Sequence, residues 1–424
     1  MTGDGPMRVL FATIANSTHF FSMVPAAWAL RSAGHEVRVA SQPALMETIA
    51  DAGLTAVPVG TDHDMREKIA ASASIPADAP NIDFTHVREG TYDFHHLLGF
   101  YTILTPALFA TMNNDTMVDD LVAYAREWQP DLVVWEPMTW SGAVAAKAAG
   151  AAHARLLWGT DVLGLIRQQF LGALDRQPAE VHEDPFAEWL GWTVAKYGLE
   201  FDEELTTGQW TIEQEPPSLQ VRTDRRTVSM QYVPYNGRAV LPDWLREPPS
   251  RPRVCLTLGI SAREGIGRST VSVADMVDSL SELDIELVAT LNADQRAALG
   301  EVRENVRLVD FVPLHALLPT CSAVIHHGGA GTWSTATRAG VPQVVVPEIW
   351  DTGLKATMLA ELGAGVHQPI RTMTADSLRD HVRRILEDQS YTEAAAKLQN
   401  EMRSQRSPAE VVTELERLTS ERRG

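Results

Sequence analysis

The segment His326-His327-Gly328-Gly329-Ala330-Gly331-Thr332 follows an apolar run, Ser322 to Ile325, and precedes a glycine-poor stretch ending at Gly340-Val341-Pro342. This segment constrains the fold most tightly. The apolar run fits a buried parallel strand, and the glycines let the chain turn sharply and bring backbone N–H groups close to a ligand. A helix is expected next. An anion at its N-terminus meets unsatisfied N–H groups and the positive end of the helix dipole, and His326 adds a directed hydrogen bond. The expectation is a diphosphate-binding turn made by His326, Gly328, Gly329, Ala330, Gly331 and Thr332.

The surrounding pattern repeats strand, helix, strand. Met7 to Ala12 is apolar, Val24 to Ala33 has helical spacing closed by Gly34-His35, and Glu36 to Ser41 is again strand-like. Leu132 to Trp135 and His153 to Trp158 continue the alternation, which predicts a doubly wound α/β domain over 1–233. From about Tyr232 to Pro252 the periodicity disappears and Pro234, Pro242, Pro248, Pro249 and Pro252 crowd together, so 234–252 reads as a linker. A second α/β series begins at Val254 and runs through Ile285 to Leu291, Val306 to Phe311, Ser322 to Ile325 and Gln343 to Val346, giving a second domain over 253–407. At 424 residues, two domains suit the length. No Gly-x-Gly-x-x-Gly follows the first strand, which argues against a nicotinamide-type site there.

Composition narrows the partners. A formal net charge of −19 repels nucleic acid and anionic membrane. The apolar stretch Val9 to Ile14 is too short to cross a bilayer, no secretory leader is visible, and Met1 to Pro6 reads as a frayed extension. Cys255 and Cys321 have neither metal spacing nor a disulfide framework and fit buried thiols of a soluble, cytoplasmic protein.

The glycine segment, the following Val341-Pro342-Gln343-Val344-Val345-Val346-Pro347 and Trp350-Asp351 resemble the donor signature of family 1 glycosyltransferases. Trp158-Gly159, Arg253 to Gly259 and Phe311 to Pro319 are similar to the antibiotic branch, in particular the deoxyaminosugar transferases of macrolide biosynthesis. The resemblance covers nearly the whole chain. It implies the GT-B architecture, two Rossmann-like domains facing a cleft, with acceptor bound by the first and nucleotide sugar by the second. A charge-patterned helix over 408–424 can then cross back onto the first domain.

On that plan the base rests against Phe311 and Val312, and Gly259 and Ser261 reach the phosphates from the opposite side. Uridine-diphosphate users carry a glutamate eight positions after the phosphate histidine; here that position is Ser334. A missing carboxylate fits a thymidine diphosphate donor, whose deoxyribose has no 2′-hydroxyl to hold. Asp351 matches the residue that binds sugar hydroxyls, while the glutamine that usually follows is Thr352, which suits a donor with fewer hydroxyls and an amine. His19, 15 residues before Gly34, matches the catalytic base, and Glu136 matches the carboxylate that orients it and stabilises the imidazolium. Acceptor recognition is expected from the long stretch Ile75 to Phe100, with Trp140, Trp158 and Phe170 as apolar walls. Each residue also has a plain reading: Phe311 as core, Asp351 as a helix cap, His19 as a packed loop residue, Glu136 as a solvated strand end.

The function implied is inverting transfer of a deoxyaminosugar (desosamine, mycaminose or forosamine type) from its dTDP ester to a hydroxyl of a macrolide or related polyketide. The resemblance implies no cofactor and no metal. A 2-epimerase on the same plan, or a silent nucleotide-sugar-binding scaffold, are the alternatives. The resemblance further implies an auxiliary protein similar to a haem-free cytochrome P450; the acidic segment Gln177 to Glu204 reads either as its docking face or as an ordinary packed helix pair, and a homodimer is also compatible.

Overall fold

The structure, a computed structural model, describes residues 5–63, 84–257, 272–348 and 350–423. Two all-parallel sheets organise it. The first has the order β3-β2-β1-β4-β5-β6-β7, with β1 Arg8–Ala12, β2 Glu36–Ser41, β3 Thr55–Pro58, β4 Leu132–Trp135, β5 Ala152–Leu156, β6 Trp210–Glu213 and β7 Thr227–Ser229. The second runs β10-β9-β8-β11-β12-β13, with β8 Arg253–Thr257, β9 Glu286–Thr290, β10 Val306–Val309, β11 Ala323–His326, β12 Gln343–Val345 and β13 Gly365–His367. Both are doubly wound Rossmann-like sheets, and together they form the GT-B arrangement. The central strands β4, β5, β8 and β11 are buried along their whole length, as parallel strands covered by helices on both faces must be.

Strand order reverses between β1 and β4 in the first sheet and between β8 and β11 in the second. Registers align Ala12 with Trp135 and Thr257 with His326, so the carboxyl ends of each pair finish level. Open α/β sheets bind ligands at such switch points, because the helices on either side diverge there and leave a crevice.

Residues 230–252 contain one short 3₁₀ turn, Asp243–Arg246, between the two sheets. The closing helix, Pro408–Arg423, buries Val411, Val412, Leu415 and Leu418 in the same apolar cluster as Val9, Phe11 and Leu30 of the first sheet and its covering helix. Chain therefore passes between the sheets twice, side by side: the Gln231 N–H donates to the Arg406 carbonyl at 2.7 Å, and the Gln231 amide nitrogen to the Arg403 carbonyl at 2.8 Å.

Both cysteines are free, Cys255 buried and Cys321 partly so. No helix among the described residues is long and apolar enough to cross a membrane.

Candidate active site

At the first switch point, β1 leads into a short helix, Ser17–Phe21, capped by Asn16, whose side chain accepts the Thr18 N–H. This places His19 over the end of β4, where Glu136 sits. His19 Nδ1 lies 3.0 Å from Glu136 Oε2, with the carboxylate fully buried and the histidine side chain 14% exposed. The same oxygen accepts the Trp158 indole N–H at 2.9 Å and the Met138 N–H at 3.0 Å, and Oε1 accepts the Thr139 hydroxyl. Burial alone would raise the Glu136 carboxyl. The facing His19 ring, with hydrogen bonds from His19, Thr139 and Met138, outweighs it and holds the carboxyl below its ordinary value. Glu136 is thus an anion with its lone pairs occupied, not a solvated strand end. Trp158 also packs its ring on His19, centroids 4.8 Å apart. It was expected as an apolar wall; it lies in the wall and in addition braces the histidine–carboxylate pair.

At the second switch point, β11 ends at His326, and Gly329 begins the helix Ala330–Ala339 without any side-chain cap. The first N–H groups of that helix have no partner within it. Gly328 turns the chain with φ +90, a left-handed value, and a Cβ there would lie 3.0 Å from Thr352 Cβ.

The two histidines differ from the sequence expectation. His326 is fully buried, its Nε2 2.8 Å from Gln343 Oε1 and its Nδ1 accepting the Gly328 N–H at 3.0 Å. Both ring nitrogens are occupied within the protein, so His326 buttresses the turn and does not offer itself to an anion. His327, one residue on and past the end of the strand, lines the cavity instead, and its buried Nδ1 has no hydrogen-bond partner. Burial, then the other charge nearby, lowers both: His326 to about 3 through desolvation and His327, and His327 to about 4 through desolvation and Lys355. Both are neutral imidazoles at neutral pH.

A cavity of about 260 Å³ joins the two switch points and is bounded by His19, Trp158, His327, Ala330, Gly331, Thr332 and Asp351. Gly329, Phe311 and Val312 also line it; Phe311 is 53% exposed, hence a ledge and not core, whereas Val312 is buried. Asp351 is the one carboxylate in the wall among the described residues. It begins the helix Thr352–Glu361 but makes no side-chain cap bond, so capping does not explain it. The preceding Trp350 adopts φ 60, rare for a bulky residue, with its carbonyl held by the Phe84 N–H at 3.1 Å and its ring edge-on to Phe84 at 5.1 Å.

Other expectations are corrected. Trp140 and Phe170 are core, 2% and 0% exposed: Trp140 packs on Phe109 at 4.7 Å and Phe170 on Tyr101 at 5.0 Å. Their helices are apolar on more than one side, which removes the periodic cue that would tell wall from core. Thr352 is buried under the turn, against Gly328, with its hydroxyl accepting the Glu348 N–H at 3.3 Å, and it does not line the cavity. Ser334 is likewise buried and does not line it. Within the stretch expected as an acceptor loop, Phe94–Leu104 is a helix capped by Asp93, and 75–83 lie outside the described residues. Gly259 and Ser261 also lie outside them.

Sequence reasoning missed Phe21, Tyr232 and Tyr235. Phe21 and Tyr235 meet edge-on at 5.4 Å beside His19, and the Tyr232 hydroxyl reaches Thr335 Oγ1 at 3.2 Å. The two tyrosines stand on either side of Pro234 where the proline-rich linker begins, and aromatic residues there were the available signal.

Comparison with known proteins agrees with this fold. Residues 28–259 match the family described as "Erythromycin biosynthesis protein CIII-like, N-terminal domain", and residues 274–418 match its C-terminal domain. The chain is 55% identical over 418 residues to a 10-deoxymethynolide desosaminyltransferase of Streptomyces venezuelae, covering 98% of each. It is 51% identical over 423 residues to a tylactone mycaminosyltransferase of Streptomyces fradiae, covering 99% of this chain and 94% of that one. Among solved structures, the glycosyltransferase VinC in complex with dTDP superposes with a TM-score of 0.87 at 42% identity, over 98% of this chain and 100% of that one.

Proposed function

Since the chain belongs to the erythromycin biosynthesis protein CIII-like family of glycosyltransferases, we propose that it moves a deoxyaminosugar from a dTDP-sugar onto a hydroxyl of a macrolide aglycone, with inversion. One observation carries the reading: a histidine bonded to a buried carboxylate shares a cavity with an uncapped helix N-terminus.

The roles follow from atoms. The diphosphate lies on the N–H groups of Ala330, Gly331 and Thr332, and neutral His327 donates to it. The base rests on Phe311 and Val312. The sugar faces Asp351, and Gly328 and Gly329 shape the turn. The aglycone lies along Phe21, Trp158 and Tyr235, with its hydroxyl at His19.

With Nδ1–H donating to Glu136, His19 Nε2 is free to accept the hydroxyl proton. The acceptor oxygen forms the new bond to the anomeric carbon from the face opposite the diphosphate. The bond from that carbon to the phosphate oxygen breaks, and dTDP leaves with the electron pair. Positive charge gained by the imidazole is met by the Glu136 carboxylate, negative charge gained by the diphosphate by the helix terminus.

No cofactor or metal is assigned a step. A chelator is expected to leave turnover unchanged; a loss restored by added divalent ion would refute that. Cytoplasmic residence rests on the thiols read from the sequence and a P450-like auxiliary protein on the resemblance, and a homodimer is compatible with either. Full turnover by the isolated chain would remove the auxiliary protein.

The deciding experiment is calorimetric titration with thymidine and uridine diphosphates, followed by transfer from dTDP-deoxyaminosugars to macrolactones. Preference for the thymidine nucleotide with macrolactone glycosylation is expected. Preference for uridine diphosphate, or binding without transfer to any macrolactone, would overturn the assignment.

A further inference from the structure

Lys355 lies one helical turn after Asp351 and is only 1% exposed. Its Nζ stands 2.9 Å from Asp351 Oδ2, yet neither atom has a hydrogen-bond partner: the pair is electrostatic contact without hydrogen-bond geometry. The ammonium also lies 5.8 Å from the Trp333 ring centroid. From the first domain, Gly159 lies against it: a Cβ there would stand in van der Waals contact, 3.9 Å from Nζ and 3.5 Å from Asp351 Oδ2. Glu215, following β6 and 2% exposed, faces the same lysine: its Oε2 accepts the Thr160 hydroxyl at 3.0 Å, and its Oε1 has no partner. Burial lifts the Glu215 carboxyl to about 7, against the pull of the Lys355 charge.

A buried ammonium with unmatched N–H groups is costly to fold, and a fold keeps one where it has work to do. The sole cavity-lining carboxylate among the described residues is therefore backed by a buried cation.

We propose that Lys355 is a positioning residue for the donor sugar: buried beneath the first domain's Gly159 and paired with Asp351, it fixes the Asp351 carboxylate in the orientation that receives the sugar. This deepens the transferase reading above and rests on it. Lys355 pairs directly with the sugar's reader and acts on His327 of the nucleotide turn only as a nearby charge, so its loss should weaken the nucleotide sugar more than the bare nucleotide.

The test compares thymidine diphosphate with a dTDP-deoxyaminosugar, by calorimetry on the full chain, for the unaltered protein, Lys355→Met and Lys355→Arg. Lys355→Met is expected to lose roughly tenfold or more in affinity for the nucleotide sugar beyond whatever it loses for thymidine diphosphate, with Lys355→Arg recovering part of that difference. Equal weakening of both ligands, or of neither, would overturn the proposal. Should Lys355→Met fail to fold because it strands the Asp351 carboxylate, the double variant Asp351→Asn/Lys355→Met removes both charges and is compared with Asp351→Asn. The double variant should then bind the nucleotide sugar no worse than Asp351→Asn alone; additive losses would overturn the idea. An unaltered chain that binds no thymidine diphosphate would overturn the parent reading and this one with it.

Discussion

Replacing the two adjacent histidines one at a time should separate two kinds of loss. His326→Ala removes a ring that satisfies Gln343 Oε1 and the Gly328 N–H. Each buried polar group left unpaired costs about 1–3 kcal/mol, and the vacated volume adds to that, for a total of about 3–6 kcal/mol. A domain of this size loses about 2–4 °C of melting temperature per kcal/mol, so the midpoint should fall by on the order of 10 °C. His327→Ala leaves the interior intact and deletes one hydrogen bond to an anion, worth about 1.5–3 kcal/mol. Thymidine diphosphate should bind roughly 10- to 150-fold more weakly with the melting midpoint little changed. Scanning calorimetry and nucleotide titration on both variants read the two effects. Were His326→Ala to melt normally but lose nucleotide binding, while His327→Ala bound normally, the assignment would be inverted.

His19→Ala should lower kcat by about 10²–10⁴-fold while nucleotide affinity holds, measured by steady-state transfer alongside titration. Trp158→Phe keeps a ring against His19 but removes one donor to Glu136, and kcat should drop by roughly 5- to 30-fold, again with nucleotide affinity unchanged. Gly328→Ala forces a Cβ into the left-handed region against Thr352 and should destabilise by about 1 kcal/mol or more in urea titration. The acid limb of stability should owe part of its slope to His326. Its folded value, about 3, lies below the ordinary 6.5, so the unfolded chain binds the proton first; the contribution is whole above pH 6.5 and lost as pH falls toward the folded value. Urea titrations of His326→Asn against the unaltered chain should therefore diverge less at pH 5 than at pH 7, by about 2 kcal/mol.

Much of the fold was readable because buried parallel strands are continuous apolar runs, and β1, β4, β8 and β11 each stand out as one. The switch-point logic carried His19 and Glu136, since both follow central strands. The choice between His326 and His327 was not readable. Successive side chains at a strand end point to opposite faces, so an offset of one residue exchanges a buttress for a ligand. Trp140 misled for a related reason: residues 140–146 are all buried, and a helix covered on every side gives no face to read. Trp158 was placed correctly but undervalued, because the indole N–H finds its acceptor 22 residues away in sequence. Lys355 went unread although it stands four residues from Asp351, a spacing that puts both on one side of a helix.

The return of the closing helix to the first sheet bears on how such enzymes can be recombined. A splice made once, in the linker, would give the first half of one parent the last helix of another. Val411, Val412, Leu415 and Leu418 would then have to fit a groove shaped by a different sequence around Leu30. Hybrids intended to pair one enzyme's aglycone choice with another's sugar choice should therefore be cut twice, near residues 231 and 406, where the two passages lie hydrogen-bonded together, so that Pro408–Arg423 travels with the first domain.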